Sequence, residues 1–250
     1  MNLPSSLSRR KFLAFAGIGA ASTLAGCASS AGPGMQTVEY RDPYYTGPVG
    51  GGLFGSGLFG GGLGEQPDPA VIYAPQEDNG FLLPAIPYQQ IDPQFYRQRV
   101  ANTTGQPAGT VVVDTRTRFL YLVESGGGTA MRYGIGVGRE GFAWQGEGVI
   151  QWRQKWPRWN PPNEMVARQP ELVKYSIDNG GMDPGLKNPL GARALYIFQG
   201  NQDTFYRLHG NPDWRSIGKA VSSGCIRMLN QDVIDLYDRV PSKARIVVIQ

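Results

Sequence analysis

Glycine and proline set the strongest limit on where this 250-residue chain can build a core. The run GPVGGGLFGSGLFGGGLG at 47–64 holds ten glycines, and the proline-rich segments QPDPA, YAPQ and LLPAIPYQQIDP follow it. Glycine loses much backbone entropy on folding and proline interrupts hydrogen-bonded ladders. We therefore expect residues 27–92 to form a flexible Gly/Pro-rich tether and the folded domain to occupy residues 93–250.

The first 26 residues have the composition of an export signal. SRRKFL at 8–13 has a twin-arginine pattern, and the apolar stretch that follows is shorter than the roughly 20 residues of a membrane-spanning helix. The sequence LAGC at 24–27 resembles a lipobox, so we expect lipidation of Cys27 and an envelope protein held to a membrane by a lipid anchor. Cleavage a few residues later, which would release a periplasmic protein, is the alternative.

Net charge gives no support for nucleic-acid binding. The formal charge is +4, and Arg9, Arg10 and Lys11 of the predicted signal supply three of these charges, which leaves +1. No cluster of Lys and Arg remains in the rest of the chain that would bind phosphates. We therefore expect no nucleic-acid partner.

The residues after Phe95 show the period and composition of short strands. β-Branched and aromatic runs predict strands at the positions listed here: 110–114, 118–123, 131–137, 148–152, 195–199, 204–209 and 245–249. Residues 115–117 and 200–203 predict hairpin turns, and the strands at 131–137 and 148–152 are expected to pair. One helix is predicted, with Asn230 as N-cap and Pro241 as its stop. The expected fold is mainly β, a sandwich or barrel-like domain with one helix.

The segment His209–Tyr237 carries the chain's chemistry. It contains the only histidine of the sequence and one of its two cysteines, Cys225. A thiol becomes a nucleophile when a base converts it to the thiolate, so a cysteine with a histidine elsewhere in the chain is a candidate catalytic pair. Lipidation of Cys27 would leave Cys225 without a disulfide partner; a disulfide between the two, or an inert buried Cys225, are the alternatives.

Small residues precede the thiol and a cation follows it. Ser222, Ser223 and Gly224 leave the backbone open, so its amides can face a developing oxyanion. In an extended strand Arg227 lies on the same face as the sulfur and can bind a substrate carboxylate. Pairing of Arg227 with an acidic residue of the following helix is the alternative.

Other motifs favour neither a metal nor a nucleotide. One histidine and one unpaired cysteine cannot supply the usual zinc ligands, so no metal site is expected. The pattern G-x-G-x-x-G at 136–141 lacks the helix that a dinucleotide site needs. Trp152, Trp156 and Trp159 could stack on sugar rings, but structural anchoring is the more common use of such residues.

The block resembles the signature of the L,D-transpeptidase catalytic domain family, in which a His-Gly pair precedes a Ser-x-Gly-Cys-x-Arg run. The resemblance extends through WPRWNPP, NPLGARALY and YRLHG to RMLNQDVIDLYDRV and covers roughly 93–250. It implies Cys225 as the acylated nucleophile and His209 as the base, oriented by the Gly210 backbone.

The same resemblance implies an oxyanion hole around Ser223, Gly224 and Cys225, and a substrate site that includes Arg227 and Ser222. It also implies a lid in the loop 179–191. Many members carry a second histidine where this chain has Ser223, so here His209 is the only possible histidine base.

The substrate implied by the resemblance is the peptidoglycan tetrapeptide stem, cleaved before its terminal D-alanine. The acceptor would be an amine of a neighbouring stem or of an envelope protein, and no cofactor is required. A hydrolase with the same site and a wall-binding lipoprotein without catalysis are the alternatives.

Overall fold

The computed structural model describes Leu63 and residues 66–139 and 144–250. The predicted leader with Cys27, and most of the glycine-rich run, lie outside these described residues. The strands are β1 Gln76–Asp78, β2 Phe81–Leu83, β3 Gln98–Ala101, β4 Val111–Asp114, β5 Phe119–Val123, β6 Thr129–Gly134, β7 Val137–Gly138, β8 Gly146–Lys155, β9 Arg193–Gln199, β10 Gln202–Gly210, β11 Ala220–Ser222, β12 Ile226–Met228 and β13 Arg245–Ile249.

Helices are short and few. The α-helices are α1 Pro69–Ile72, α2 Asn163–Arg168 and α3 Asn230–Arg239, and the 3-10 helices are Tyr88–Gln90, Pro93–Phe95, Pro170–Tyr175, Ile177–Asn179 and Trp214–Ser216. Within the described ranges, no helix has the length and apolar character needed to cross a bilayer.

Nine strands form one mixed sheet in the order β12-β10-β9-β8-β13-β4-β5-β6-β3. β10 runs parallel to β12 and β13 runs parallel to β4, whereas the other neighbours are antiparallel. Gly136, just after β6, exchanges two backbone hydrogen bonds of 2.9 and 2.8 Å with Arg227 in β12. Because these residues belong to opposite ends of the strand order, the sheet curls toward closure, and the predicted mainly β, barrel-like fold is confirmed.

The core lies inside this curled sheet. Alternate residues of the central strands belong to one buried cluster, for example Val111 and Val113 in β4 and Leu120 and Leu122 in β5. The period of two directs these side chains to one face. The apolar stripe of α3, which includes Val233 and Leu236, packs into the same cluster. The helix is therefore held by burial directly after the strand that follows Cys225.

Local predictions agree with the structure better than long-range ones. The hairpins β4–β5 and β9–β10 form with the predicted turns. The predicted pairing of strands near 131–137 and 148–152 is wrong, because β6 pairs with β5 and β3 whereas β8 pairs with β9 and β13. Partners that are distant in sequence determine these ladders, and a local pattern does not identify them.

The start of α3 differs from the prediction. Leu229 occupies the N-cap position, and Asn230 is the first helical residue, only 6% exposed. The Asn230 side chain turns instead to the neighbouring loop, where its Oδ1 accepts a 3.0 Å hydrogen bond from the Ala192 amide. Asn230 thus joins the helix to the start of β9 rather than capping it.

The described part of the predicted tether, residues 66–92, is folded onto the domain. Tyr73 and Leu83 are each 1% exposed. Asp78 accepts two 2.7 Å hydrogen bonds from the buried Arg193 guanidinium and one of 2.6 Å from the Trp156 indole. The predicted domain boundary at residue 93 is therefore too late, since apolar and acidic anchors spaced between the prolines bind this segment to the domain.

Tyr73 also connects this segment to α3. Its hydroxyl accepts a 2.8 Å hydrogen bond from the Arg97 amide and donates one of 3.3 Å to Asp232. Arg97 forms an ion pair with Asp235 at 3.0 Å and lies 3.8 Å from Asp232. Burial of the Asp232 carboxyl raises its pKa to about 7, although the Arg97 charge opposes this. Burial likewise raises the Tyr73 pKa, so its hydroxyl keeps the donated proton.

The hydrogen bonds of Asp78 to Arg193 and Trp156 predict an effect of Asp78 on stability. Replacing Asp78 with Ala leaves the Arg193 guanidinium buried without its carboxylate, and we expect a loss of about 3 kcal/mol in the free energy of unfolding. Glu77→Ala, at an exposed neighbouring position, is the control and should stay within about 0.5 kcal/mol of the native chain. Urea denaturation followed by circular dichroism measures both, and equal stability of the two variants would show that the segment 66–92 contributes little.

Candidate active site

β10 and β12 bring the two candidate catalytic residues onto adjacent strands. In their parallel register Leu208 lies beside Ile226, and His209 lies beside Arg227. Leu208 and Ile226 are buried in the core. Because side chains alternate along a strand, His209 and Arg227 point to the opposite, outer face of the sheet.

Cys225 immediately precedes β12, one residue before Ile226. Continuing the register by one residue places Cys225 beside Arg207 on β10. Its side chain is half-buried, and its Sγ atom contacts the Phe205 carbonyl oxygen at 3.9 Å. The thiol is therefore within reach of solvent and is not sealed inside the apolar core.

Burial raises the pKa of the Cys225 thiol above its ordinary value. The Arg207 amide and the positive charges of Arg207 and Arg227 lower the pKa, and they offset only part of the burial effect. The resting site therefore holds a neutral thiol at neutral pH.

His209 is 5% exposed and is held by backbone carbonyls. Its Nδ1 lies 2.6 Å from the Gly210 carbonyl oxygen. Since a carbonyl oxygen only accepts hydrogen bonds, Nδ1 carries the proton and Nε2 keeps the lone pair that a general base needs. The Gly210 carbonyl thus holds the imidazole ring in one orientation.

Burial lowers the pKa of His209 to about 4, and the charges of Arg227 and Arg207 act in the same direction. The carbonyls of Gly210 and Pro189 raise the pKa but do not cancel the burial effect. The imidazole is therefore neutral at pH 7 and available to accept a proton.

The structure brings the His209 imidazole and the Cys225 thiol to one surface, but the two side chains are not hydrogen-bonded to each other. The register offset of two residues and one strand spacing corresponds to about 8 Å between the Cα atoms of His209 and Cys225. Among the described residues, no hydrogen bond connects the imidazole to the thiol. The resting arrangement is a neutral pair rather than a thiolate–imidazolium ion pair.

The loop before the thiol is fixed by Ser222. Its buried hydroxyl donates a 2.6 Å hydrogen bond to the Cys225 carbonyl and accepts one of 3.1 Å from the Gly224 amide. Gly224 has a φ of 133°, a value that favours glycine. Ser222 therefore fixes the conformation of the loop, and the Gly224 amide already donates its hydrogen bond to the Ser222 hydroxyl. The amides of Ser223 and Cys225 donate to no other group in the described part of the chain.

Arg227 is half-buried, and burial lowers its pKa. Neither Asp232 nor Asp235 of α3 pairs with it, since these two carboxylates contact Arg97 and Arg239 instead. Within the described ranges its guanidinium forms no ion pair and no side-chain hydrogen bond. The site thus holds a partly desolvated cation, two residues from the thiol, with unused donors.

Sequence reasoning missed the local geometry of β10. The β9–β10 pairing is irregular between Asp203 and Arg207, and Phe205 in this bulge has a φ of 61° with 80% of the residue exposed. Its carbonyl reaches the thiol as a consequence. Asp203 holds Arg207 through two 2.7 Å hydrogen bonds. The spacing of Arg207 two residues before His209 indicates from the sequence that the two share a face of the strand, whereas the bulge has no sequence signal.

The described ranges contain no group of three or more His, Cys, Asp or Glu side chains that could hold a metal ion. The chemistry of this surface is that of one thiol, one neutral imidazole and nearby guanidinium groups.

A family model for the YkuD-type L,D-transpeptidase catalytic domain matches residues 108–249. The chain belongs to this family. A putative L,D-transpeptidase from Fuscovulum blasticum is 30% identical over 149 residues, which cover 59% of this chain and 72% of that protein. The probable L,D-transpeptidase ErfK/SrfK of Escherichia coli is 31% identical over 145 residues, 56% of this chain and 43% of that protein.

The chain spans about half the length of several curated L,D-transpeptidase relatives that it matches. Among solved structures, a probable carnitine operon oxidoreductase from Brucella melitensis is 49% identical, with 62% of this chain and 94% of that chain covered and a TM-score of 0.44. An L,D-transpeptidase from Mycobacterium smegmatis is 17% identical, with 56% and 58% covered and a TM-score of 0.41.

The neutral resting pair predicts the pH dependence of thiol labelling. Because burial raises the Cys225 pKa, the alkylation rate with iodoacetamide should rise with pH to a midpoint above about 8.5, the value of an ordinary cysteine. Removing the Arg207 charge in Arg207→Gln should move the midpoint higher still. The measurement is the labelling rate by intact mass between pH 5 and 10. A rate already on a plateau between pH 5 and 7 would contradict the neutral pair.

Proposed function

We propose that this protein is a peptidoglycan L,D-transpeptidase that transfers the acyl group of a tetrapeptide stem through Cys225. The observation that carries the proposal is an accessible thiol and a neutral, oriented imidazole on neighbouring strands of a domain of this family. The bond broken joins the third residue of the stem, a diamino acid, to its terminal D-alanine. The reaction requires no cofactor.

In the first half-reaction His209 Nε2 accepts the thiol proton, and Sγ attacks the carbonyl carbon of the third stem residue. The resting thiol must leave the Phe205 carbonyl to meet the imidazole, because no hydrogen bond joins the two at rest. The tetrahedral intermediate then collapses, the imidazolium gives its proton to the departing D-alanine amine, and a thioester remains on Cys225.

In the second half-reaction an acceptor amine attacks the thioester. His209 accepts a proton from this amine and returns it to the departing sulfur, so the thiol is regenerated and a new amide is formed. A neighbouring stem supplies the amine; an envelope protein is the second possible acceptor. The loop 179–191 is a candidate lid that would keep water out of the thioester.

Backbone amides of the loop before β12 would stabilise the oxyanion of the tetrahedral intermediate. The amides of Ser223 and Cys225 are the best candidates, since the Gly224 amide is already bound to the Ser222 hydroxyl. Arg227 would bind a carboxylate of the stem, because its guanidinium is half-buried and unpaired among the described residues. Ser222 would then act by shaping the loop and not by contact with substrate.

We also propose that the chain is exported and anchored in the cell envelope by lipidation of Cys27. The twin-arginine pattern and the lipobox-like LAGC sequence support this placement. It would bring the folded domain to its polymeric substrate. Hydrolysis by the same site remains the second candidate outcome, since a thioester reacts with water wherever an acceptor amine does not reach it.

Muropeptide turnover tests the proposed reaction. Wild-type protein incubated with disaccharide-tetrapeptides should release D-alanine and form crosslinked dimers, and Cys225→Ala should form neither product. His209→Ala should slow acylation by about 10²- to 10⁴-fold, because the thiol loses its base. Mass spectrometry of the products and of the acyl-enzyme measures each step.

Two results would contradict the proposal. Release of D-alanine without any dimer would identify a carboxypeptidase instead, and full activity in Cys225→Ala would exclude the thiol as nucleophile. Ser223→Ala, which keeps the backbone amide and removes only an exposed hydroxyl, is the matched control and should retain activity within about twofold.

A further inference from the structure

We propose that the exposed face of Trp152 is a subsite for the sugar ring to which the donor stem peptide is attached. This inference rests on the proposed function, since it names where the rest of the same substrate lies. It concerns a row of four side chains on the outer face of the sheet. The row consists of Trp152, Tyr196, Arg207 and Cys225.

Two irregularities in the sheet create this row. The β8–β9 register shifts between Ile150 and Trp152, which places Trp152 opposite Tyr196. The β9–β10 register shifts between Asp203 and Arg207, which places Arg207 opposite the same tyrosine. Both bulges therefore align their side chains on Tyr196, as expected of bulges that re-aim side chains near functional sites.

The row is rigid. The indole of Trp152 and the ring of Tyr196 are stacked with centroids 3.9 Å apart and planes 10° apart. The Arg207 guanidinium also lies over the Tyr196 ring, 4.5 Å from its centroid, and two hydrogen bonds to Asp203 hold this guanidinium in place. Trp152 is nevertheless 48% exposed. The indole face that is turned away from Tyr196 is thus presented to solvent in a fixed orientation.

The chemistry around Trp152 suits a neutral, hydroxyl-rich ligand. The Arg207 charge in this row is already paired with Asp203. Gln154, two residues along β8 and on the same face, accepts a 3.1 Å hydrogen bond from the Tyr196 hydroxyl through Oε1, which leaves its amide donors for a ligand. A flat aromatic face beside an amide binds the C–H face of a sugar ring and its hydroxyls, whereas a charged peptide would find no free ionic partner in this row.

The distance from Trp152 to the thiol matches the length of the donor. Cys225, Arg207, Tyr196 and Trp152 lie on successive strands. Three strand spacings of 4.7–4.9 Å correspond to about 14 Å. Three extended stem residues and the short acid group that links them to the sugar also span about 14 Å, at 3.3–3.6 Å for each unit. A stem whose third carbonyl meets Cys225 can therefore place its sugar on Trp152.

Comparison of two donor substrates tests the subsite. We expect Trp152→Ala to lower kcat/KM about 5- to 10-fold for a disaccharide-tetrapeptide and to leave kcat/KM for the free tetrapeptide within twofold. Trp152→Tyr, which keeps a flat ring, should retain most of the activity on the disaccharide substrate. The iodoacetamide labelling rate of Cys225 is the substrate-free control and should be unchanged in both variants.

An equal loss on both substrates, or a loss on neither, would overturn the sugar subsite. A second measurement separates this result from failure of the proposed reaction. Saturation-transfer NMR on Cys225→Ser should show contact between protein aromatic protons and the sugar protons of the disaccharide, and the signal should disappear in Cys225→Ser/Trp152→Ala. If wild type turns over neither donor, the proposed reaction fails, while the NMR result still decides whether Trp152 binds sugar.

Discussion

The parallel pairing of β10 with β12 is the interaction on which the candidate site depends. It sets His209 beside Arg227 and leaves Cys225 beside Arg207, all on the outer face of the sheet. β12 has only three residues. β10 pairs with one edge of this strand, and the backbone of Gly136 forms hydrogen bonds with the other edge through Arg227. A side chain at Gly136 would collide with the Ser216 carbonyl, which explains the small residue there. The two-sided pairing fixes the short strand that carries the thiol and the cation.

The charge state of the site follows from a competition between burial and nearby guanidinium groups. For His209, burial and the cations act together, and they keep the imidazole neutral. For Cys225, the cations favour the thiolate but burial is the larger effect. Both groups therefore rest uncharged, and the site avoids keeping a charged pair in a partly buried place where desolvation is costly. In the proposed reaction the thiol is therefore deprotonated during turnover, since the free protein keeps it neutral.

Sequence reasoning succeeded where the signal is local. The hairpins β4–β5 and β9–β10 and the helix α3 follow from periodicity and turn residues, and the Cys225–His209 surface follows from the family motif. It failed where distant residues decide the outcome. Asn230 bonds the Ala192 amide instead of capping its helix, and Asp78 lies in a proline-rich stretch that composition alone describes as a tether. Neither partner can be identified before the chain is folded.

The two arginines of the site differ in what they can offer a ligand. Arg207 is stacked on Tyr196 and bonded twice to Asp203, so binding an anion would require it to give up existing partners. Arg227 is partly desolvated, and among the described residues its guanidinium has no partner to give up. In the proposed reaction a substrate carboxylate would therefore gain a charge-assisted hydrogen bond at Arg227 without displacing an internal ion pair. The difference in pairing, and not the shared positive charge, supports the proposed role of Arg227 in substrate binding and leaves Arg207 as a fixed side chain beside the thiol.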